Sequence, residues 1–259
     1  MKKPLLDICI LTYKRQDLLL KCLDSVQREL EQVVDAVTVT VLDNGSEPTM
    51  KIAHDLQFAR KRLSPNRGFP IGANAAINSG NSPLVLFLSD DIELIPGAIG
   101  SLLRTMDNPQ IGLCGMKLLF PPDSTDPARP AGKVQHVGHA VSIRGHILHP
   151  LVGWSDDNPK TTVSGEVFSV TGAAFMARRQ VGKLVGWFDE VYSPGTYEDV
   201  DLALKIRRQG YKIWLDANAK AWHHVSATGF SFPLNRNKSI FEARWKDTNM
   251  VMWDEWKKW

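Results

Sequence analysis

Two acidic clusters contain the residue types best suited to catalysis. The first, residues 89–93, directly follows the apolar run 83–88, and the second, residues 198–201, opens an amphipathic segment. A short apolar run bounded by a proline predicts a buried strand. Open α/β sheets bind ligands at the carboxyl ends of their strands. Together the clusters predict a metal-dependent transferase.

The first cluster places three carboxylates, Asp90, Asp91 and Glu93, close together in the chain. They repel one another unless a cation or a helix N-terminus compensates their charge. Hard oxygen ligands of this kind suit Mg²⁺ or Mn²⁺ bridging a diphosphate. The alternative is a set of ordinary acidic residues before a helix that starts after Pro96, where the macrodipole favours negative charge. The residues themselves leave both interpretations open.

The second cluster lies at the start of a helix predicted over residues 199–209, which Gly210 ends. Its carboxylates are either solvated capping groups or, if the terminus faces the crevice, a general base beside a substrate hydroxyl. His223 and His224 follow a predicted strand, 219–222, so one imidazole points inward. That imidazole either packs in the core or completes a metal site.

Four histidines between residues 136 and 149 raise the question of a zinc site. Gly138 and Gly145 argue against a helix there, and strand alternation would put His136 and His139 on opposite faces. We therefore expect His136, His139, His146 and His149 to line a polar surface near the acceptor.

Composition excludes several classes of protein. A chain of 259 residues with 43% hydrophobic residues can bury a full core, and a net charge of +3 argues against a nucleic acid partner. Three cysteines in apolar segments match no disulfide or zinc spacing and predict reduced thiols in a cytoplasmic protein. No signal peptide or spanning segment is expected. Tryptophans and lysines near the C-terminus, Trp245 to Trp259, predict either packing on the domain or peripheral contact with the inner membrane face.

Strand and helix patterns alternate, which predicts an α/β fold with a single Rossmann-like, mostly parallel sheet flanked by helices and an acceptor-side subregion. The composition of residues 121–130 predicts a proline-rich loop, and that of residues 134–151 predicts irregular hairpins. We expect one domain over 1–259, with a nucleotide-sugar-binding half (1–116), an acceptor and catalytic half (117–236) and a C-terminal helix (237–259). The predicted strands are 7–12, 36–42, 84–88, 111–116, 173–177 and 211–215, and the predicted helices are 17–30, 71–79, 97–106 and 199–209.

Several segments, in this order, carry a family resemblance: 8–15, 41–46, 66–69 with Asn74, 88–91, 171–174, 186–190, the Glu-Asp pair 198–199 and the segment 237–245. They resemble the inverting nucleotide-sugar glycosyltransferases of family 2 with the GT-A fold, in particular the rhamnosyltransferase-like branch. The resemblance covers nearly the whole chain. The segment 88–91 is similar to the family's Asp-x-Asp metal motif, with Ser89 at its first acidic position.

The resemblance implies a role for each matching residue. Asp199 is the catalytic base, and Mn²⁺ or Mg²⁺ is held by Asp91 and His223, whose spacing to Thr228 fits the family. The acceptor side includes Gly172, Trp187 and Glu198. The residues expected to bind the donor nucleotide are Thr12, Tyr13, Arg15, Asp43, Asn66, Gly68, Asn74 and Asp90.

The function implied is metal-dependent, inverting transfer of a hexosyl or deoxyhexosyl group from a nucleoside-diphosphate sugar to a glycan or lipid-linked acceptor, in polysaccharide synthesis. Two alternatives remain. A sugar nucleotidyltransferase would need a glycine-rich loop after its first strand, and residues 11–18 contain no glycine. A non-catalytic sugar-binding or assembly protein with this fold is favoured if Ser89 abolishes metal binding.

Overall fold

The structure is a computed structural model that describes residues 5–33, 36–142, 145–225, 233–246 and 248. The strands are β1 (Leu6–Thr12), β2 (Val37–Asn44), β3 (Ala59–Leu63), β4 (Leu84–Ser89), β5 (Ile92–Leu94), β6 (Ile111–Leu119), β7 (Val134–His136), β8 (Ala140–Val141), β9 (Ile147–Leu148), β10 (Gly165–Glu166), β11 (Ala174–Arg178) and β12 (Lys212–His223). The α-helices are α1 (Gln16–Leu30), α2 (Phe69–Ile77), α3 (Ala98–Thr105), α4 (Arg179–Val185), α5 (Glu198–Arg208) and α6 (Leu234–Trp245).

Ten of these strands form one mixed sheet in the described part of the chain. Eight follow the order β10-β12-β6-β11-β4-β1-β2-β3, while β5 pairs with β12 and β7 with β6. Strands β3, β2, β1 and β4 run parallel to one another, and β6 is parallel to β12. The predicted α/β class, with a largely parallel sheet flanked by helices, is confirmed. The insertion of β11, antiparallel, between β4 and β6 was not predicted.

The core lies on both faces of the sheet, which is why β1 and β4 are buried almost throughout and mostly apolar rather than alternating. One face packs against α1 and α3, through side chains such as Leu23 and Leu102. The other packs against α2, α4 and α5, through side chains such as Ala76, Val181 and Ile206. The helices therefore fix the strand ends from both sides.

Two strand predictions were incomplete. The separate strands expected at 211–215 and 219–222 are one strand, β12, whose register shifts between Asp216 and Lys220. The Asp216 carboxylate accepts backbone hydrogen bonds from Asn218 and Ala219, which satisfies the amides of this bulge. Strand β3 was not predicted because it is basic and largely exposed, as is common for an edge strand.

The C-terminal helix, predicted over 237–259, is described as α6, Leu234–Trp245. It is anchored to the acceptor-side half by buried polar groups. Asp201, expected to stand at a helix terminus, is fully buried and accepts hydrogen bonds from Arg244 and from the Trp245 indole. Trp245 therefore packs in the core, whereas residues 249–259, with Trp253, Trp256 and Trp259, lie outside the described residues. Among the described helices, none is both long and apolar enough to cross a bilayer.

Candidate active site

A cavity of about 530 Å³ opens at the carboxyl edge of the sheet, where β1, β4 and β12 end and α5 begins. Its wall combines the two acidic clusters with residues from both halves of the chain. The predicted site residues that line it are Thr12, Tyr13, Asn66, Gly68, Asp90, Asp91, Gly172, Glu198, Asp199 and His223.

Asp90 lies at the base of this cavity and is tied to the end of β1. Its Oδ2 accepts hydrogen bonds from the Thr12 hydroxyl at 2.6 Å and from the Tyr13 backbone N–H at 3.1 Å. Burial, together with the negative charge of Asp91, raises the pKa of Asp90 to about 7. Asp90 therefore holds the loop after β1 against the end of β4.

The raised pKa of Asp90 predicts that stability falls with rising pH. Between the usual aspartate pKa of 3.8 and about 7, the folded state binds more protons than the unfolded state. The slope from this one group is at most about 1.4 kcal/mol per pH unit. In metal-free denaturation experiments between pH 4 and pH 8, Asp90→Asn should reduce the slope, whereas the exposed control Asp107→Asn should retain it. An unchanged slope in Asp90→Asn would contradict the assignment.

Asp91 and His223 are brought together by backbone pairing. Strand β5 pairs antiparallel with the end of β12, and the backbone N–H of His224 donates to the Asp91 carbonyl at 2.9 Å. His223 Nε2 consequently lies 3.4 Å from Asp91 Oδ2. On the other side of the ring, Nδ1 lies 2.7 Å from Gln135 Oε1. The amide oxygen of Gln135 requires a proton on Nδ1, which leaves Nε2 facing the carboxylate.

Asp199 stands in the first turn of α5, where the helix dipole favours negative charge. Its two carboxylate oxygens accept hydrogen bonds from the Gly172 N–H at 3.1 Å and the Val200 N–H at 2.8 Å. Burial raises the pKa of Asp199, although these backbone hydrogen bonds and nearby His149 oppose the shift. Burial and the Asp199 charge raise the pKa of adjacent Glu198 well above its usual value. The pair thus provides an oriented carboxylate beside a carboxyl group that favours its neutral form.

The segment that contains the predicted donor-binding residues Asn66 and Gly68 folds against the acceptor-side half. Asn66 Oδ1 accepts a hydrogen bond from the Gly68 N–H at 2.8 Å, and the Asn44 side chain donates to the Gly68 carbonyl at 3.0 Å. Gly68 has a φ of +88°, and a Cβ there would lie 2.2 Å from Ser193 Oγ. Only glycine fits this conformation and this contact without rearrangement.

Four predicted site residues have other contacts and are not among the residues described as lining the cavity. Asn74 does not face the predicted nucleotide site, because its amide both donates to and accepts from the Phe188 backbone, at 2.8 and 3.1 Å. Trp187 is 3% exposed and packs its ring on Gly182, so it forms core rather than acceptor surface. We therefore assign both residues structural roles.

Arg15 and Asp43 are likewise engaged elsewhere. Arg15 forms an ion pair with Asp17 at the start of α1. One carboxylate oxygen of Asp43 accepts from the Ser46 N–H at 2.9 Å and the other lies 3.7 Å from Arg62. These contacts are those of a turn. Contact of Arg15 or Asp43 with a nucleotide stays a prediction.

Three of the four histidines form a cluster, and three of the four line the cavity, so the expected polar surface is present only in part. The rings of His136 and His139 lie 4.7 Å apart between centroids, and the two side chains are 1% and 2% exposed. Strand alternation fails here because β7 ends at His136, and Gly138 takes a φ of +115° before His139 bridges to Ser169. His149 completes the cluster and, with His139 and His146, lines the cavity.

Sequence reasoning missed Gln135 and Asn44. Gln135 lies in β7, a short strand that was expected to be irregular hairpin structure, and no local motif relates it to His223. Asn44 adjoins Asp43 at the end of β2. The direction of each side chain decides which of the two lines the cavity, and it is Asn44 that does so. The position of Asn44 at a strand end was therefore an available signal.

Comparisons with known proteins identify the family and the fold of the chain. The model of the family "Glycosyl transferase family 2" matches residues 7–181. O-antigen biosynthesis protein RfbC of Myxococcus xanthus is 32% identical over 62% of the chain, but the match covers 12% of RfbC. GalNAc(5)-diNAcBac-PP-undecaprenol beta-1,3-glucosyltransferase of Campylobacter jejuni is 31% identical over 39% of the chain and 34% of that protein. These matches cover only a minor part of each relative.

The fold has a solved counterpart in GalNAc-T7, crystallised with UDP, GalNAc and Mn²⁺. The TM-score is 0.72 at 14% identity, over 97% of this chain and 48% of the GalNAc-T7 chain. At that identity the likeness establishes the GT-A fold alone. The family match extends over more than half of the chain, from β1 into α4. The chain therefore belongs to glycosyl transferase family 2.

Proposed function

We propose that the chain is a metal-dependent inverting glycosyltransferase that uses a nucleoside-diphosphate sugar. One observation carries this proposal: a single cavity holds both the Asp91–His223 pair and the oriented carboxylate of Asp199. The Asp91–His223 pair is suited to bind the cation of a donor diphosphate, and the Asp199 carboxylate is suited to activate an acceptor hydroxyl.

The residues at the proposed metal site fit a divalent cation. Gln135 binds Nδ1 of His223, and Nε2 then lies 3.4 Å from Asp91 Oδ2, so that an imidazole nitrogen and a carboxylate oxygen face one another across a gap that a cation could occupy. A carboxylate and an imidazole are suitable ligands for Mn²⁺. A divalent cation bound there would neutralise the negative charge of the diphosphate leaving group. Ser89 lies at the cavity wall but contributes no carboxylate.

Asp199 performs the proton transfer in this scheme. Its oxygens are fixed by Gly172 and Val200, and its raised pKa makes it a better match for a proton acceptor near neutral pH than an exposed aspartate. As the acceptor oxygen attacks the anomeric carbon, its proton passes to Asp199. The new glycosidic bond forms on the face opposite the breaking bond to the diphosphate, so the configuration inverts.

We infer the substrate class from the relatives. The names of these relatives link RfbC to O-antigen synthesis and the Campylobacter enzyme to an undecaprenol-linked glycan. A glycan or lipid-linked acceptor in polysaccharide synthesis follows for this chain. The sequence resemblance makes a rhamnosyl group the first donor sugar to test, among hexosyl and deoxyhexosyl donors.

The interlocked strand order supports a single domain, and three buried free thiols, Cys9, Cys22 and Cys114, are consistent with a cytoplasmic enzyme.

Donor binding tests this function. We expect one nucleoside diphosphate to raise the melting temperature in Mn²⁺ but not in chelator, because stabilisation requires ligand binding to the folded state. Asp91→Asn and His223→Ala should lose most of that shift, whereas Asp107→Asn should keep it. If no nucleotide gives a shift, the non-catalytic interpretation replaces ours. If the shift is equal in chelator, the metal assignment is wrong.

A further inference from the structure

The proposed reaction leaves the histidine cluster, defined by His136, His139 and His149, without a role. The ring centroids lie 4.7 to 5.4 Å apart. His136 is buried beneath the cavity wall, while His149 is exposed to the cavity that Asp199 lines.

The proton position on His136 follows from its partner. The backbone N–H of Thr171 donates to His136 Nε2 at 3.0 Å. An amide N–H can only donate, so Nε2 must carry a lone pair. Burial, with the nearby imidazoles, lowers the pKa of His136 well below its usual value, and the ring is neutral. Its one proton is therefore on Nδ1.

That proton in turn fixes the tautomer of His149. His136 Nδ1 lies 3.2 Å from His149 Nδ1, so the first donates and the second accepts. Although His149 is partly exposed to the cavity, desolvation by the surrounding protein and the nearby His139 ring lower its pKa to about 4 against the opposing charge of Asp199, which favours the neutral ring. The single proton of His149 is then on Nε2, on the side of the ring away from His136. His139 has a separate partner, because its Nδ1 is hydrogen-bonded to Ser169 Oγ at 3.1 Å.

We propose that His149 positions the acceptor, donating a hydrogen bond from Nε2–H to an acceptor oxygen in the cavity next to Asp199. This inference rests on the proposed function and extends it to the acceptor site. The reacting hydroxyl donates to Asp199, while a neighbouring oxygen of the same sugar accepts from His149. A neutral donor suits this position, because it binds an oxygen without forming an ion pair with the base.

Two backbone amides, those of Thr171 and Gly172, orient both the His149 ring and the Asp199 carboxylate. The N–H of Thr171 sets the His136 tautomer and hence that of His149, and the N–H of the next residue, Gly172, holds Asp199 Oδ2. Two consecutive amides thus orient the acceptor-binding imidazole and the base. A change in this short segment would alter both together.

A metal ion is the competing explanation for three imidazoles whose ligand atoms lie within 4.8 Å of one another. A metal ligand must present a lone pair. His136 Nε2 already accepts from Thr171, and use of Nδ1 would move the proton to Nε2, opposite an N–H group. The hydrogen-bond chain explains the short distances between the imidazoles and retains the hydrogen bond from the Thr171 N–H to His136 Nε2.

Imidazole ¹⁵N spectroscopy on the full chain at pH 7 tests the tautomers directly. We expect the Nδ1–H form for His136 and the Nε2–H form for His149, and loss of the fixed His149 tautomer in His136→Ala. An Nδ1–H form of His149 would overturn the proposal. So would saturable Zn²⁺ binding that shifts the ¹⁵N resonances of all three rings and is lost in His139→Ala.

Steady-state kinetics tests the role, with the best acceptor from a panel of p-nitrophenyl glycosides. His149→Ala should raise the acceptor KM about 3- to 10-fold, the effect of one lost hydrogen bond, and leave the donor KM unchanged. His149→Gln, which retains an N–H donor, should restore part of the loss. An unchanged acceptor KM in His149→Ala, with normal turnover by the parent protein, would overturn the positioning role alone. Absence of donor-dependent turnover in the parent would instead count against the proposed function.

Discussion

Asp199→Asn should reduce kcat by about 10²- to 10⁴-fold while donor affinity stays within error of the parent protein. An asparagine side chain cannot accept the acceptor proton. It also loses one of the two backbone hydrogen bonds that Asp199 accepts from Gly172 and Val200. The measurements are single-turnover transfer rate and Mn²⁺-dependent nucleotide binding. Because the pKa of Asp199 is raised, the parent rate should increase as the pH rises through that pKa.

Two results would separate a base from a merely structural carboxylate. Asp107→Asn removes the same charge from an exposed position outside the set of cavity-lining residues and should leave kcat unchanged. Near-normal turnover by Asp199→Asn would show that another group takes the proton. The anomeric configuration of the product, read by proton NMR, tests inversion independently of the substitution.

Arg179→Met should cost about 3–5 kcal/mol in the free energy of unfolding, the largest stability effect that we expect. The Arg179 guanidinium forms a 2.6 Å ion pair with Asp7, and both side chains are 5% exposed. It also donates to the carbonyls of Ser82 and Ile77, both at 2.6 Å. Burial raises the pKa of Asp7, but its hydrogen bonds and Arg179 outweigh this effect and lower it overall. Removing Arg179 would leave a buried charge uncompensated.

Arg178 provides a matched control from the adjacent position. Its guanidinium donates to neutral backbone carbonyls, among them Ile111 at 2.9 Å, and the side chain is partly exposed. Chemical denaturation should therefore show a smaller loss for Arg178→Met. The double variant Asp7→Asn/Arg179→Met should recover part of the stability, because the buried charge is gone. Equal losses for Arg178→Met and Arg179→Met would contradict the ion-pair explanation.

The parts of the site that the sequence predicts lie at the end of a strand or at the start of a helix. Asp91 follows a continuous apolar strand, and Asp199 begins an amphipathic helix, so their positions at the cavity follow from local patterns. Asn74 and Trp187 show the limit of a motif, because a match locates a residue in the chain but not the direction of its side chain. Asn74 binds the Phe188 backbone instead of facing the cavity.

Long-range contacts explain the remaining differences. The contact of Gln135 with His223 joins residues from β7 and β12, and the histidine cluster depends on a reversal at Gly138. Neither has a periodic signal, since periodicity reports only which face of one element is buried. The alternation of β1, α1 and β2 was predicted because each element carries its own pattern. The place of β11 in the sheet was not, because strand order is fixed by tertiary packing.

The antiparallel position of β11 has a consequence for how the chain is synthesised. Strands β2, β1 and β4 can pair as soon as residue 89 has left the ribosome, but the β11 edge of β4 then stays open until residue 178. Strand β6 also lacks β11 until residue 178, and it lacks β12 until residue 223. Such delayed, non-local pairing slows folding and exposes apolar strand edges. The nascent chain should therefore depend on chaperone protection most strongly while the segment between β6 and β11 is being translated.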